Sequence, residues 1–228
     1  FRGQELDNQN AFSQLVKTII YDHYKVLFVR VDLGYLKSSM PTISVKNFYA
    51  HIDSLLKFLK DKNGCFRHLL SYGIALEQGY SKGYHGHLLL IYNGSNVDRD
   101  WYLADQVVKK WEYITNNVGS GRNLNTKENK EDFRRKGILG IGMIERQCPQ
   151  AVCNALKVAK YLVEQEKFEQ MLLVKPKGRR SFFKGGYKPH GRQYQLKIEK
   201  PCIEQLNRSG IWNRSDTAWL DELSVFDQ

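Results

Sequence analysis

Two histidines separated by a glycine, in Gly83-Tyr84-His85-Gly86-His87-Leu88-Leu89-Leu90-Ile91-Tyr92-Asn93-Gly94, are the first residues whose types and spacing could do chemistry. The run is apolar and aromatic, too short for a typical helix and closed by an Asn-Gly turn signal, so it reads as a buried strand. Strand side chains alternate faces, so His85 and His87 point the same way, with Gly86 leaving room between them. Two imidazoles on one rigid face make half of a metal site. The spacing alone is a weak motif, and it gains weight only from its surroundings.

Arg67 to Glu77 (RHLLSYGIALE) reads as a second strand, and the polar link from Gln78 to Gly83 suits a hairpin that returns Glu77 to the side of the two histidines. A carboxylate oxygen with two imidazole nitrogens suits Mn²⁺ or Mg²⁺, with Zn²⁺ as the weaker alternative, and leaves positions open for a phosphate. A second candidate lies on the helix opened by Pro149 and running from Gln150 to Gln170. Val152, Ala155, Leu156, Ala159, Leu162 and Val163 form its apolar stripe, and Tyr161 points almost opposite, sharing a face with Lys157, Glu164 and Gln165. A cation within a turn favours the phenolate, which makes Tyr161 a candidate nucleophile.

The third candidate is the basic stretch Val174 to Lys200, where Lys175, Lys177, Arg179, Arg180 and Lys184 are interleaved with Phe182 and Phe183. That composition suits a nucleic-acid strand, its phosphates on the cations and its bases on the rings. The competing reading has the two phenylalanines closing the core beneath a solvated loop. Lys and Arg number 35 against 24 Asp and Glu, a net charge of +11 that favours a polyanionic partner.

The elements that must position these residues follow from periodicity. Residues 10–22 carry Phe12, Leu15, Val16, Ile19 and Ile20 at helical spacing, and Lys25 to Leu33 alternates with Phe28, Arg30 and Asp32 on its second face. Arg30 and Asp32 are expected to pair with each other or to line a site. Ser44 is the expected N-cap of a helix through Leu59 that stops at Asn63-Gly64. Asp98 or Asp100 is expected to cap a further helix whose Trp101 and Trp111 belong to the core. Residues 116–136 read as a polar loop and Ile138 to Ile144 as a buried strand. At 228 residues one main domain is expected. Cys65, Cys148, Cys153 and Cys202 match no metal-finger spacing and are expected as reduced, buried thiols. No segment reaches transmembrane length and no charged-then-apolar leader is visible, so no membrane association is expected.

A strand bearing His-x-His, an upstream glutamate and a helical Lys-Tyr together resemble the HUH endonucleases. Within them, FVRVDL, ALEQGYSKGYHGHLLLIYNG and GIGMIE followed by ALKVAKYLVE are similar to the inovirus-type gene-two replication proteins (YagK/YfjJ C-terminal-like), rolling-circle replication initiators of filamentous phages and prophages. The resemblance covers roughly residues 24–185. It leaves residues 1–23 as a helical lead-in and residues 186–228 as the end of the basic segment with an acidic tail. It implies an α+β fold with a central antiparallel sheet and flanking helices, ferredoxin- or RRM-like. It also implies Glu77, His85 and His87 as metal ligands and Tyr161 as the nucleophile that nicks and rejoins single-stranded or hairpin origin DNA through a 5′-phosphotyrosine intermediate. The implied setting is the cytoplasm of a bacterial host cell, with the tail as a docking segment for host replication proteins. Gly86 stands where the family usually has a bulky hydrophobe, and Glu164 where it often has a lysine, which makes Lys157 or Lys160 the candidate substitute. The alternative is a DNA-binding protein that retains the fold without turnover.

Overall fold

The alternation of the first strand, β1 (Lys25–Tyr35), divides the molecule into two cores. Leu27, Val29, Val31 and Leu33 join one buried cluster, and Val26 and Phe28 join another on the opposite side of the sheet. In the computed structural model, which describes residues 2–79, 82–163 and 176–190 with side chains from residue 10, the chain runs α1 (Arg2–Asp22), β1, α2 (Val45–Asp61), β2 (Leu69–Gly79), β3 (Gly83–Asn93), α3 (Asp100–Ile114), β4 (Gly119–Asn123), α4 (Lys127–Arg135), β5 (Gly142–Glu145), α5 (Pro149–Tyr161) and β6 (Phe182–Lys184). This is an α+β fold built on an open antiparallel sheet of order β4-β1-β3-β2-β6, with β5 also paired to β1. No described helix is long and apolar enough to cross a membrane.

Each face of the sheet takes its own helices. Phe48, Ile52 and Leu55 of α2 and Ala104, Val107 and Trp111 of α3 pack against Leu76, Leu88 and Leu90. On the other face, Phe12, Val16 and Ile19 of α1 and Val152, Ala155, Leu156 and Ala159 of α5 cover Phe28, Ala75, Leu89 and Ile91. Burying each such large side chain contributes about 1.5–3 kcal/mol, so the apolar run of each strand determines how far its helical cover extends. On the α1/α5 face that run stops at Phe28, Ala75 and Leu89. Beyond it come Asp32, Glu77, His85 and His87, which the apolar faces of α1 and α5 have no hydrophobic reason to cover.

Several sequence expectations need correction. Residues 116–136 hold β4 and α4 rather than a loop. A Cβ on Gly119 would sit 2.8 Å from Trp111 Nε1, and one on Gly121 would sit 2.9 Å from Val108, so these glycines let a strand lie flush on α3. Thr126 caps α4 by accepting from the Asn129 amide. The strand expected from Ile138 begins only at Gly142, because Gly140 lies against the backbone of α5, 2.3 Å from Asn154 O to a would-be Cβ. Ser44 caps α2 in a capping box as expected, but the left-handed residue that ends the helix is Lys62. Trp111 is fully buried, whereas Trp101 is 53% exposed and is not core. Cys148 is exposed rather than buried.

Asp100 caps nothing; it forms part of a buried polar network instead. β1 meets β3 along one edge, and its other edge is shared by β5, at Lys25 to Phe28, and β4, at Val31 to Tyr35. The side chain of Asn125, fully buried, fills the gap between them. Its Oδ1 accepts from the Arg30 amide at 2.8 Å, and its Nδ2 donates to Phe28 O and to Asp100 Oδ2, both at 2.9 Å. Lys130 Nζ completes the network on both Asp100 oxygens. Asn125→Ala should leave several buried groups unmet and destabilise the fold by roughly 2–4 kcal/mol, read as a lower urea midpoint. An unchanged midpoint would remove this role from Asn125.

Candidate metal centre

The β2–β3 hairpin pairs Glu77 with His85 and Ala75 with His87, and the β1–β3 ladder pairs Asp32 with His87. Residues opposite one another in such ladders point to the same face with Cβ atoms about 4.5–5.5 Å apart. Four polar side chains are thereby gathered at one end of the sheet's α1/α5 face, where they are largely shielded from solvent. His85 Nε2 lies 3.2 Å and His87 Nε2 3.3 Å from the same oxygen, Glu77 Oε2. One ligand atom from each of Glu77, His85 and His87 lies within 4.8 Å of the others, so the group could hold a metal ion.

The other ring nitrogens determine whether those atoms are usable. His85 Nδ1 faces Gly83 O at 3.0 Å, and His87 Nδ1 faces Asp32 Oδ1 at 2.5 Å. A carbonyl and a carboxylate only accept, so both Nδ1 atoms carry the proton and each neutral ring turns its Nε2 lone pair inward. A carboxylate behind a ligating imidazole fixes the tautomer and makes the ligand more basic. The donor set therefore fits a divalent cation.

Without an ion, a proton does the cation's work. Burial alone would lower His87, but its hydrogen bonds to Asp32 and Glu77 and their charges raise it to about 9. Burial would raise Glu77, yet the hydrogen bonds and charges of His85 and His87 hold it down to about 2. Asp32 is likewise lowered, its desolvation outweighed by the bond to His87.

Asp32 and Arg30 do not form the ion pair expected within β1. Asp32 turns to His87, whereas the Arg30 guanidinium carbon lies 5.4 Å from the centroid of the Tyr161 ring. Tyr161, half-buried at the end of α5, thus reaches back to the strand β1 that carries Asp32, a contact its helical phase opposite the apolar stripe did not indicate. Arg30 and Asp32 are two residues apart, about 6.5–7 Å along a strand. Lys157 and Lys160 are half-buried on the same helix, and Glu164 and Gln165 lie outside the described residues. Gly86 does not open space between the histidines. It faces the opposite core, where a Cβ would meet Ile74 and Leu76 at 3.4 Å, so the missing bulky side chain leaves the ligands untouched.

The basic segment divides. Lys175 and residues 191–228, including the acidic tail, lie outside the described residues. Lys177, Arg180 and Lys184 are exposed. Arg179 instead anchors the segment to α2, 2.5 Å from Asp53 and with its guanidinium 4.6 Å from the Tyr49 ring centroid. The rings expected to stack bases belong to the cores. Phe182 is buried edge-on against Phe12, and Phe183 packs on the other face of the sheet. Pairing of β6 with β2 requires this, because adjacent strand residues point to opposite faces.

No family model, curated protein or solved structure matches the chain.

Asp32→Asn should weaken Mn²⁺ binding about 10–100-fold in calorimetric titration while preserving the fold. Unchanged affinity would detach Asp32 from the centre. The ion-free protein should also respond to pH in two directions. The folded-state value of His87 is raised, so its contribution to stability is full below its ordinary 6.5 and is lost as pH rises through about 9. That of Glu77 is depressed, so its contribution is full above its ordinary 4.5 and is lost as pH falls toward about 2. Thermal midpoints in chelator should therefore fall on both sides of pH 4.5–6.5, and Mn²⁺ should abolish the alkaline fall. An alkaline fall that survives saturating Mn²⁺ would contradict this assignment.

Proposed function

We propose that the protein is a metal-dependent DNA nickase and strand-transferase of the HUH type, acting on single-stranded or hairpin origin DNA in rolling-circle replication. The observation that supports this reading is that the Glu77, His85 and His87 cluster shares its sheet face with Arg30, two residues from the Asp32 that binds His87, and that Arg30 in turn meets the Tyr161 ring of α5. The net charge of +11 is consistent with a polyanionic substrate, and exposed Lys177, Arg180 and Lys184 are the candidate backbone contacts.

Held by Glu77, His85 and His87, a Mn²⁺ or Mg²⁺ ion would supply Lewis-acid stabilisation of a phosphate oxygen. Tyr161 is the nucleophile. Its phenolic oxygen gives up its proton to solvent and forms a bond to phosphorus as the bond from phosphorus to the 3′ oxygen breaks, and the leaving 3′ alkoxide takes up a proton from solvent in turn. The product is a phosphodiester on Tyr161 and a free 3′-hydroxyl. Because one ester replaces another, the same site can run the step backwards onto a new 3′-hydroxyl without a nucleotide triphosphate. Asp32 holds His87 in the tautomer that leaves Nε2 free, so ligand geometry is set before substrate arrives.

Candidate origin oligonucleotides labelled at the 5′ or the 3′ end, incubated with Mn²⁺, should yield a covalent protein adduct only with the fragment downstream of the nick. Tyr161→Phe should abolish the adduct while changing DNA affinity by less than about twofold, because the phenol oxygen acts in the chemical step. Free 5′-phosphate ends without adduct would indicate a water-using nuclease. Binding without any cleavage by the wild type would indicate the non-catalytic alternative.

A further inference from the structure

Arg30 is a cation whose partners among the described residues do not account for it. Its side chain lies on the metal-centre face and is only partly exposed. Its Nε is sealed from solvent and has no hydrogen-bond partner among the described residues. Among the described residues no carboxylate stands within ion-pair distance, and the acid two positions along β1, Asp32, is taken up by His87. The contact with the Tyr161 ring attracts the charge but accepts none of the in-plane N–H groups. A partly buried guanidinium with an unmet donor is a destabilising arrangement that an aliphatic residue of similar length would avoid.

The backbone beneath it is fixed with unusual care. The Arg30 amide is held by Asn125 Oδ1 at 2.8 Å and its carbonyl by the Leu124 amide at 3.1 Å. Where the side chain emerges is thus set by the buried network of Asn125, Asp100 and Lys130. Another cation on this face is Arg122, exposed on the edge strand β4 and directly opposite Asp32 in the ladder.

We propose that the Arg30 guanidinium is a phosphoryl-anion site, placed between Tyr161 and the Asp32–His87 pair, that binds the non-bridging oxygens of the phosphodiester brought to the metal centre. The assignment of a DNA phosphodiester rests on the nickase reading; the anion site itself rests on the geometry. With Nε sealed, the two terminal nitrogens of the planar guanidinium are the donors offered, and that fork matches two phosphate oxygens at once, which an ammonium cannot do. The site supplies what the tyrosine and the metal ligands lack, a donor to the phosphate that lies against the nucleophile's own ring.

The test uses dimethyl phosphate, a diester without bases, titrated into the Mg²⁺-loaded protein and followed by ¹H–¹⁵N NMR. The Arg30 Nε–H signal and the Tyr161 and Asp32 amides should shift together along one binding curve. Arg30→Gln should weaken that curve at least tenfold, and Arg30→Lys should give an intermediate value. Mg²⁺ affinity and the urea midpoint should be unchanged in the lysine variant, which separates lost anion binding from lost folding. An Arg30 Nε–H signal that stays still in the wild type, or equal diester affinity in wild type and both variants, would overturn the proposal. Arg30-dependent diester binding by a protein that forms no adduct with any origin oligonucleotide would uphold the anion site and remove the nickase reading.

Discussion

Three acceptors that face one another need a cation between them. Glu77 Oε2 and the Nε2 atoms of His85 and His87 converge, and each histidine is barred from reversing its tautomer by an acceptor behind it, Gly83 O for one and Asp32 for the other. A proton satisfies this geometry only in part, since one N–H points at one acceptor while a divalent ion contacts all three. The elevated His87 and depressed Glu77 are the electrostatic record of that demand. Much of the nearby architecture bears on keeping these acceptors in place.

The hairpin supplies all three acceptors at little entropic cost, because Glu77 and His85 are joined by a short turn and paired directly and His87 follows on the same strand. The support behind His87 is long-range. Asp32 reaches His87 only because β1 lies beside β3 in one register, and a shift of a single residue would send Asp32 into the α2/α3 core. That register is enforced by burial: Leu27, Val29, Val31 and Leu33 must face one core and Phe28 the other. The hydrophobic pattern of β1 therefore acts on the candidate metal centre without touching it.

What could be read from the sequence follows the same division between local and long-range. His85, His87 and Glu77 were legible because period-two alternation and a short hairpin are local properties. Tyr161 stood out because helical phase sets it apart from Val152, Leu156 and Ala159, but its contact with Arg30 depended on how α5 packs on the sheet, which phase does not encode. Arg30 and Asp32 were visible as polar positions on an apolar strand, but their partners depended on inter-strand register, which no spacing encodes. β4 and α4 were hidden because Gly119 and Gly121 carry no side chain to show alternation, although they pack tightly on α3. Asn125 was invisible for a related reason: a lone asparagine in a polar stretch carries no sign that it will be fully buried and complete the edge of a sheet. Phe182 and Phe183 were misjudged because composition cannot distinguish an aromatic that stacks on a base from one that closes a core; only pairing of β6 with β2 decides it.

β1 also separates two charges that would otherwise cancel. Arg30 and Asp32 share a face, and a direct ion pair between them would neutralise both and leave His87 and Tyr161 without their neighbours. The structure keeps them apart by giving each a different contact, Asp32 the protonated nitrogen of His87 and Arg30 the face of Tyr161. The anchor for this arrangement is Asn125, which binds the backbone of Phe28 and Arg30 at the break between β4 and β5. Alternate residues on one strand are about 6.5–7 Å apart, so a single rigid β1 spaces the Arg30 guanidinium from the carboxylate that orients His87. A loop could bring the same two residues to the same place but could not hold that spacing against their mutual attraction, whereas a strand bonded along both edges can.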